Sequence, residues 1–147
     1  MLKVLIAEDD LMIADMTEEM LVVSGYEVCG IARTVAEAVA LGRRHQPDLA
    51  VIDLRLADGG LGTEIAAQMG THGTLGVLYA TGNISHAMLT TADGHACLAK
   101  PYRLGDLQRS LEIVAEIVAT GTASRPFPRG FKVLPSTTIG LREPSDG

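Results

Sequence analysis

The sequence predicts an α/β fold, a doubly wound parallel sheet of five strands with helices on both faces. Short apolar runs alternate with amphipathic stretches from residue 2 to about residue 119. The runs are continuously apolar, as strands buried on both faces are, and do not follow an in-out alternation. Four of them are followed at once by polar or charged groups. These are Glu8, Asp9 and Asp10 after residues 4–7, Asp53 after 49–52, Thr81 after 77–80, and Lys100 after 96–99.

Leu2 to Ala7 reads as the first strand, and Leu11 to Val22 follows with apolar residues at helical spacing until Ser24 and Gly25 stop it. Tyr26 to Ala32 is the second strand. Thr34 is placed to cap a helix over Val35 to His45, with Glu37 three residues on completing a capping box, and Pro47 closes that helix. The third strand is Asp48 to Asp53. After the glycine-rich turn Asp58 to Gly62, a helix is expected over Leu61 to Met69. Leu75 to Ala80 gives the fourth strand, Ser85 to about Thr91 a short helix, His95 to Ala99 the fifth strand, and Leu104 to Ala119 the last helix.

Strict alternation implies right-handed crossovers. Five units suit the flavodoxin-like order 2-1-3-4-5, whose ligand site lies beyond the carboxyl ends of strands 1 and 3, where the order switches. Glu8, Asp9 and Asp53 end those two strands, and Thr81 and Lys100 end the next two. All five groups therefore converge on one rim.

With 147 residues and 47% hydrophobic content the chain fits one domain, and a net charge of −6 argues against binding nucleic acid or an anionic membrane directly. Cys29 and Cys97 lie in apolar stretches without a CxxC pair, and no signal peptide or membrane span is legible. A cytoplasmic location is expected. The histidines, at 45, 72, 86 and 95, have no metal-ligand spacing. Composition changes after residue 120. Residues 121–147 hold four of the six prolines, both phenylalanines, four basic and two acidic residues. Residues 1–120 are thus one expected domain and 121–147 a Pro/Gly-rich tail, either disordered or docked through Phe127, Phe131, Val133 and Leu134 on this domain or a neighbouring copy.

The chemistry of the rim follows from charge. Three carboxylates packed together cannot all ionise without a counter-charge. Mg²⁺, or Mn²⁺, suits such a site because it takes two or three protein oxygens and keeps positions open for a phosphoryl oxygen. Lys100 can neutralise further phosphoryl oxygens and the Thr81 hydroxyl can donate to one. Asp53 is then the natural nucleophile, since aspartyl-phosphate formation needs mainly positioning and charge neutralisation. Asp10 suits the positive end of the first helix.

Taken together, Glu8, Asp9, Asp53, Thr81 and Lys100-Pro101 over residues 2–119 resemble the receiver domain of bacterial two-component response regulators, of the single-domain, CheY-like kind. The resemblance implies Asp53 as phospho-acceptor, Asp9 and Asp53 as metal ligands with Glu8 acting through water, and the backbone carbonyl of Arg55 as a further ligand. It also implies Thr81 as the switch hydroxyl, Lys100 as the conserved-type lysine, and Arg55 and Asn83 at positions that tune acyl-phosphate lifetime. Tyr79-Ala80-Thr81-Gly82 with Lys100-Pro101-Tyr102 is similar to stand-alone receivers carrying an aromatic-Ala-Thr-Gly segment, some of which serve stress-response phosphorelays.

Two departures from the family pattern stand out. Cys97 occupies the place where the family usually has the switch aromatic, with Tyr102 or Tyr79 as substitutes or as ordinary packing residues. The acceptor loop lacks a proline four residues after Asp53 and is one residue longer than usual. The expected function is a response regulator: a sensor histidine kinase or histidine phosphotransfer protein phosphorylates Asp53, and the domain switches binding to a downstream protein or a second copy through its fourth-helix, fifth-strand and fifth-helix face. Its only catalysis would be its own Mg²⁺-dependent phosphorylation and dephosphorylation. The alternatives are an unphosphorylated constitutive interaction module, a phosphate sink or shuttle in a phosphorelay, and a haloacid-dehalogenase-type phosphatase. The last is weakened because Arg55 stands where such an enzyme has a second aspartate.

Overall fold

The computed structural model describes residues 1–69, 74–82 and 88–136. Its elements run β1 (Lys3–Ala7), α1 (Leu11–Val23), β2 (Glu27–Ala32), α2 (Val35–His45), β3 (Leu49–Asp53), α3 (Thr63–Met69), β4 (Gly76–Thr81), β5 (Ala96–Ala99), α4 (Leu104–Thr120) and β6 (Phe131–Val133). The sheet order is β2-β1-β3-β4-β5-β6. Strands β1 to β5 pair in parallel in the order expected from the sequence, and β6 runs antiparallel on β5.

Side chains on the two sheet faces enter separate cores. One gathers Leu5, Ala50, Ile52, Val77, Tyr79 and Cys97 with Val35, Ala38, Val39 and Ile65 of α2 and α3. The other gathers Val4, Ile6, Val51, Leu78 and Leu98 with Ala14 and Leu21 of α1 and Leu107, Leu111 and Val114 of α4. Burial on both faces explains why the strands read as unbroken apolar runs.

Local chemistry sets the helix starts. The Asp10 carboxylate accepts from the backbone N–H groups of Met12 and Ile13 at 3.0 and 3.2 Å, which caps α1 as the sequence suggests. Thr34 Oγ1 accepts from Glu37 N–H at 3.1 Å, while the Glu37 carboxylate turns back to Arg33 N–H at 2.8 Å, one residue before the usual capping-box partner.

Three expectations are corrected. The third helix starts at Thr63, not Leu61, because Leu61 bridges Arg55 and Gly62 N–H donates to Leu54 O at 2.8 Å, so the loop after β3 keeps both residues. The sheet has six strands, not five, because residues 131–133 pair with β5. Of the short helix expected over 85–91, residues 83–87 lie outside the described residues. Residues 88–91 are not helical, and Thr90 and Asp93 instead close a turn through Thr90 N–H to Asp93 Oδ2 at 2.9 Å and Asp93 N–H to Thr90 O at 2.8 Å. Among the described residues, no helix is long and apolar enough to cross a membrane.

Candidate functional site

Strand register assembles the rim. Ala7 pairs with Ile52, so Glu8 and Asp53 leave β1 and β3 side by side. Asp53 in turn faces Ala80, and Thr81 faces Ala99, which places Thr81 and then Lys100 along the same edge. Lys100 N–H donates to Thr81 O at 2.8 Å and fixes the end of β5 to the end of β4.

Carboxylate oxygens of Glu8, Asp9 and Asp53 lie within 4.8 Å of one another. Glu8 and Thr81 are buried, while Asp9, Asp53 and Lys100 are half-buried. Lys100 Nζ reaches both acids, at 3.1 Å from Glu8 Oε1 and 3.2 Å from Asp53 Oδ2. The second Glu8 oxygen accepts from Asp10 N–H at 3.1 Å.

Burial pushes the Glu8 carboxyl up to about 7, helped by its hydrogen bond with Asp53 and by the Asp53 charge, and opposed by Asp10 N–H and Lys100. Burial works to lower the Lys100 ammonium, yet Asp53 and Glu8 outweigh it and hold the group above its ordinary value. One ammonium therefore serves three clustered acids, and the remaining negative charge together with three convergent oxygens fits a hard divalent cation.

The glycine-rich turn shapes the acceptor loop. A Cβ built on Gly62 would stand 2.2 Å from Asp53 O and 2.6 Å from Ile52 Cγ2, so only glycine lets the loop return this close to β3. Leu56 N–H donates to Gly60 O at 3.0 Å, and Arg55, exposed, bridges Leu61 across the loop.

The structure separates the two candidate replacements for the aromatic missing at Cys97. Tyr79 is fully buried and its hydroxyl donates to Asp93 O at 2.7 Å, away from the rim, so it is a core residue. Tyr102 stands two residues beyond Lys100 with its hydroxyl 2.6 Å from Thr17 Oγ1 on α1. Cys97 is buried beside Tyr79 and Leu134, and burial raises its thiol above the ordinary value. Asn83, His72 and His86 lie outside the described residues. His95 Nδ1 accepts from Val77 N–H at 3.0 Å.

Sequence reasoning missed Thr17. It looks like an ordinary helical threonine, and only the fold brings it to a residue 85 positions away.

A family model described as "Response regulator receiver domain" matches residues 4–112. The chain belongs to the response regulator receiver domain family. The transcriptional regulatory protein PdtaR of Mycobacterium tuberculosis is 31% identical over 114 residues, which cover 76% of this chain and 55% of PdtaR. The chain thus spans about half the length of the curated relatives it matches.

Among solved structures, a CheY-like receiver domain protein from Methanospirillum hungatei superposes with a TM-score of 0.71 at 27% identity, covering 83% of this chain and 99% of that one. The signal receiver domain of a modulated diguanylate cyclase from Desulfovibrio desulfuricans gives 0.69 at 28%, covering 83% and 99%. The response regulator PhyR from Brucella abortus gives 0.66 at 27%, covering 82% of this chain and 52% of PhyR. Receiver domains bind Mg²⁺ at an acidic pocket and interact with kinases or phosphotransfer proteins and with downstream partners.

Proposed function

We propose that Asp53 is the phospho-acceptor of this receiver domain and that the rim around it carries the transfer. The observation that carries this reading is the convergence of Glu8, Asp9 and Asp53 within 4.8 Å, with Lys100 bridging two of them. In the transfer an Asp53 carboxylate oxygen attacks the phosphorus of a phosphohistidine on a sensor kinase or histidine phosphotransfer protein. The P–O bond forms as the P–N bond breaks, and the imidazole leaves to take up a proton.

Asp9 and Asp53 would hold Mg²⁺ directly, with Glu8 through water and the Arg55 carbonyl as a further ligand. When bound, the ion neutralises charge that develops on the phosphoryl oxygens. Lys100 stands 3.2 Å from Asp53 and would pair with an added phosphoryl oxygen, and the hydroxyl of Thr81, the last residue of β4, would donate to another. Moving those two groups toward the phosphoryl shifts the ends of β4 and β5 together, because Lys100 N–H is bonded to Thr81 O.

Incubation of the protein with Mg²⁺ and acetyl phosphate or phosphoramidate, followed by intact mass measurement, tests this. A gain of one phosphoryl group that disappears in Asp53→Asn is expected. No gain would leave the domain a constitutive interaction module, and rapid turnover of many phosphate esters would make it a phosphatase.

A further inference from the structure

The segment after α4 lies on the domain along three elements. On α4, Arg109 Nε donates to Pro126 O at 3.1 Å and Nη2 to Ser124 O at 2.7 Å, while the Glu116 carboxylate accepts from Ser124 N–H at 2.8 Å. Phe127 and Phe131 meet edge to face at 5.3 Å, with the Arg125 guanidinium over Phe127. On β5, residues 131–133 pair with Leu98, Cys97 and Ala96, and Leu134 N–H donates to His95 O at 3.0 Å. On the turn before β5, Thr91 N–H donates to Pro135 O at 2.9 Å.

Without β6, β5 would be the last strand of the sheet, with backbone N–H and C=O groups open to pairing by another strand. The cover is thin. Beyond the flanking backbone hydrogen bonds of Gly130, Leu134 and Pro135, it consists of three residue pairs, the half-buried Phe131 against one core and one buried side chain, Leu134, which sits with Val77, Tyr79 and Cys97 in the other.

The cover also touches the rim through one residue. Ala99 pairs with Thr81, precedes Lys100 and donates its N–H to Gly130 O at 2.9 Å. Gly130 has a φ of +79°, and a Cβ there would lie 3.1 Å from Ala99 Cβ. A close approach of this kind transmits a shift of the Ala99-Lys100 end to the start of β6 with little slack. Cys97, on the same face of β5 as Ala99, pairs with Lys132 and packs near Leu134 but has no ring that could turn.

We propose that the outer edge of β5 is a strand-accepting interaction surface, which residues 131–134 cover before phosphorylation and which phosphorylation of Asp53 opens to an extended segment of a downstream protein. The inference rests on Asp53 being the phospho-acceptor. Movement of Lys100 toward the phosphoryl group draws Ala99 away from the Gly130 carbonyl, and β6 loosens from the end nearest the rim. The occupant is defined by what sits there now: an extended stretch with an aromatic at the place of Phe131 and an aliphatic at that of Leu134, paired through its backbone.

The test uses a fluorescent peptide copying Arg129 to Ser136, added to the 147-residue chain with Mg²⁺, with and without acetyl phosphate, and intact mass read on each sample. The phosphorylated chain is expected to bind the peptide at least about tenfold more tightly than the unphosphorylated one, or 1.4 kcal/mol. The Leu134→Asp chain is expected to bind it without phosphate, and a peptide carrying the same change to bind neither form. A mass gain with unchanged peptide affinity overturns the proposal alone, as does a Leu134→Asp chain that ignores the peptide. A phosphorylated dimer that excludes the peptide also overturns it, because the edge then serves a second copy. Absence of the mass gain overturns the phospho-acceptor reading and this proposal with it.

Discussion

Lys100 Nζ stands 3.2 Å from Asp53 Oδ2, although 47 residues separate them and β4 lies between their strands. The pairing depends on the parallel register that brings the ends of β3, β4 and β5 level. A lysine reaching across a strand can follow charge as it moves from the carboxylate to an added phosphoryl group.

Removing that ammonium should therefore act on the transfer more than on binding of the donor. Lys100→Met is expected to slow phosphorylation by small-molecule donors by about 10² to 10³, the cost of losing one preorganised group that faces developing charge. Lys100→Arg, which keeps the charge but not the point-like geometry, is expected to recover part of the rate. Initial rates from a mass-resolved time course with acetyl phosphate check both.

The Glu8 carboxyl gives the protein a pH signature. Its folded value near 7 lies above the ordinary 4.5, so its contribution to stability is complete below about 4.5 and is lost as pH rises through about 7. Without divalent ions, urea midpoints of the native protein minus those of Glu8→Gln are expected to fall across that window. Saturating Mg²⁺ is expected to flatten the fall, because the ion favours the ionised carboxylates. Mg²⁺ affinity itself should rise with pH over the same window, and a titration monitored by thermal shift measures it.

Gly62→Ala should disturb the acceptor strand without touching a charged group. Its new Cβ would meet Asp53 O and the Ile52 side chain, and backbone cannot give way as a flexible side chain does. A loss of about 1–3 kcal/mol is expected from this overpacking. Slower phosphorylation of the folded fraction is also expected, since Asp53 and Arg55 are held by that loop. Urea unfolding and the phosphorylation time course separate the two effects.

Much of this arrangement is legible in the sequence because each rim residue follows an apolar run that parallel pairing brings level. Glu8, Asp9, Asp53, Thr81 and Lys100 need only the strand order to meet. The acceptor loop was harder to place: Leu61 has helical character locally, and its bridge to Arg55 arises from the turn's own hydrogen bonds. The sixth strand gives no signal in the sequence because it is three residues long and flanked by prolines that mark an irregular tail, while its partner edge exists only once β5 is in the sheet. Thr17 and Tyr102 likewise carry no spacing signal, since α1 and the loop after β5 are brought together only by the fold.

That last pair predicts a modest, local effect. Thr17 is almost fully buried, and Tyr102→Phe would remove the hydroxyl that stands 2.6 Å from its Oγ1, so a loss of about 1 kcal/mol is expected in urea unfolding. Thr17→Val should cost less in the Tyr102→Phe background than in the native protein, because the pair is lost only once. A double-mutant cycle on unfolding free energies checks it.

The most direct test of the central claim is chemical trapping of the acyl phosphate. The protein is incubated with Mg²⁺ and acetyl phosphate, reduced with borohydride, digested and sequenced by mass spectrometry; borohydride converts an aspartyl phosphate to homoserine. Conversion at Asp53 and at no other carboxylate is the expected result. Conversion at Asp9 or Asp10 in place of Asp53, or recovery of every aspartate unchanged, would contradict it.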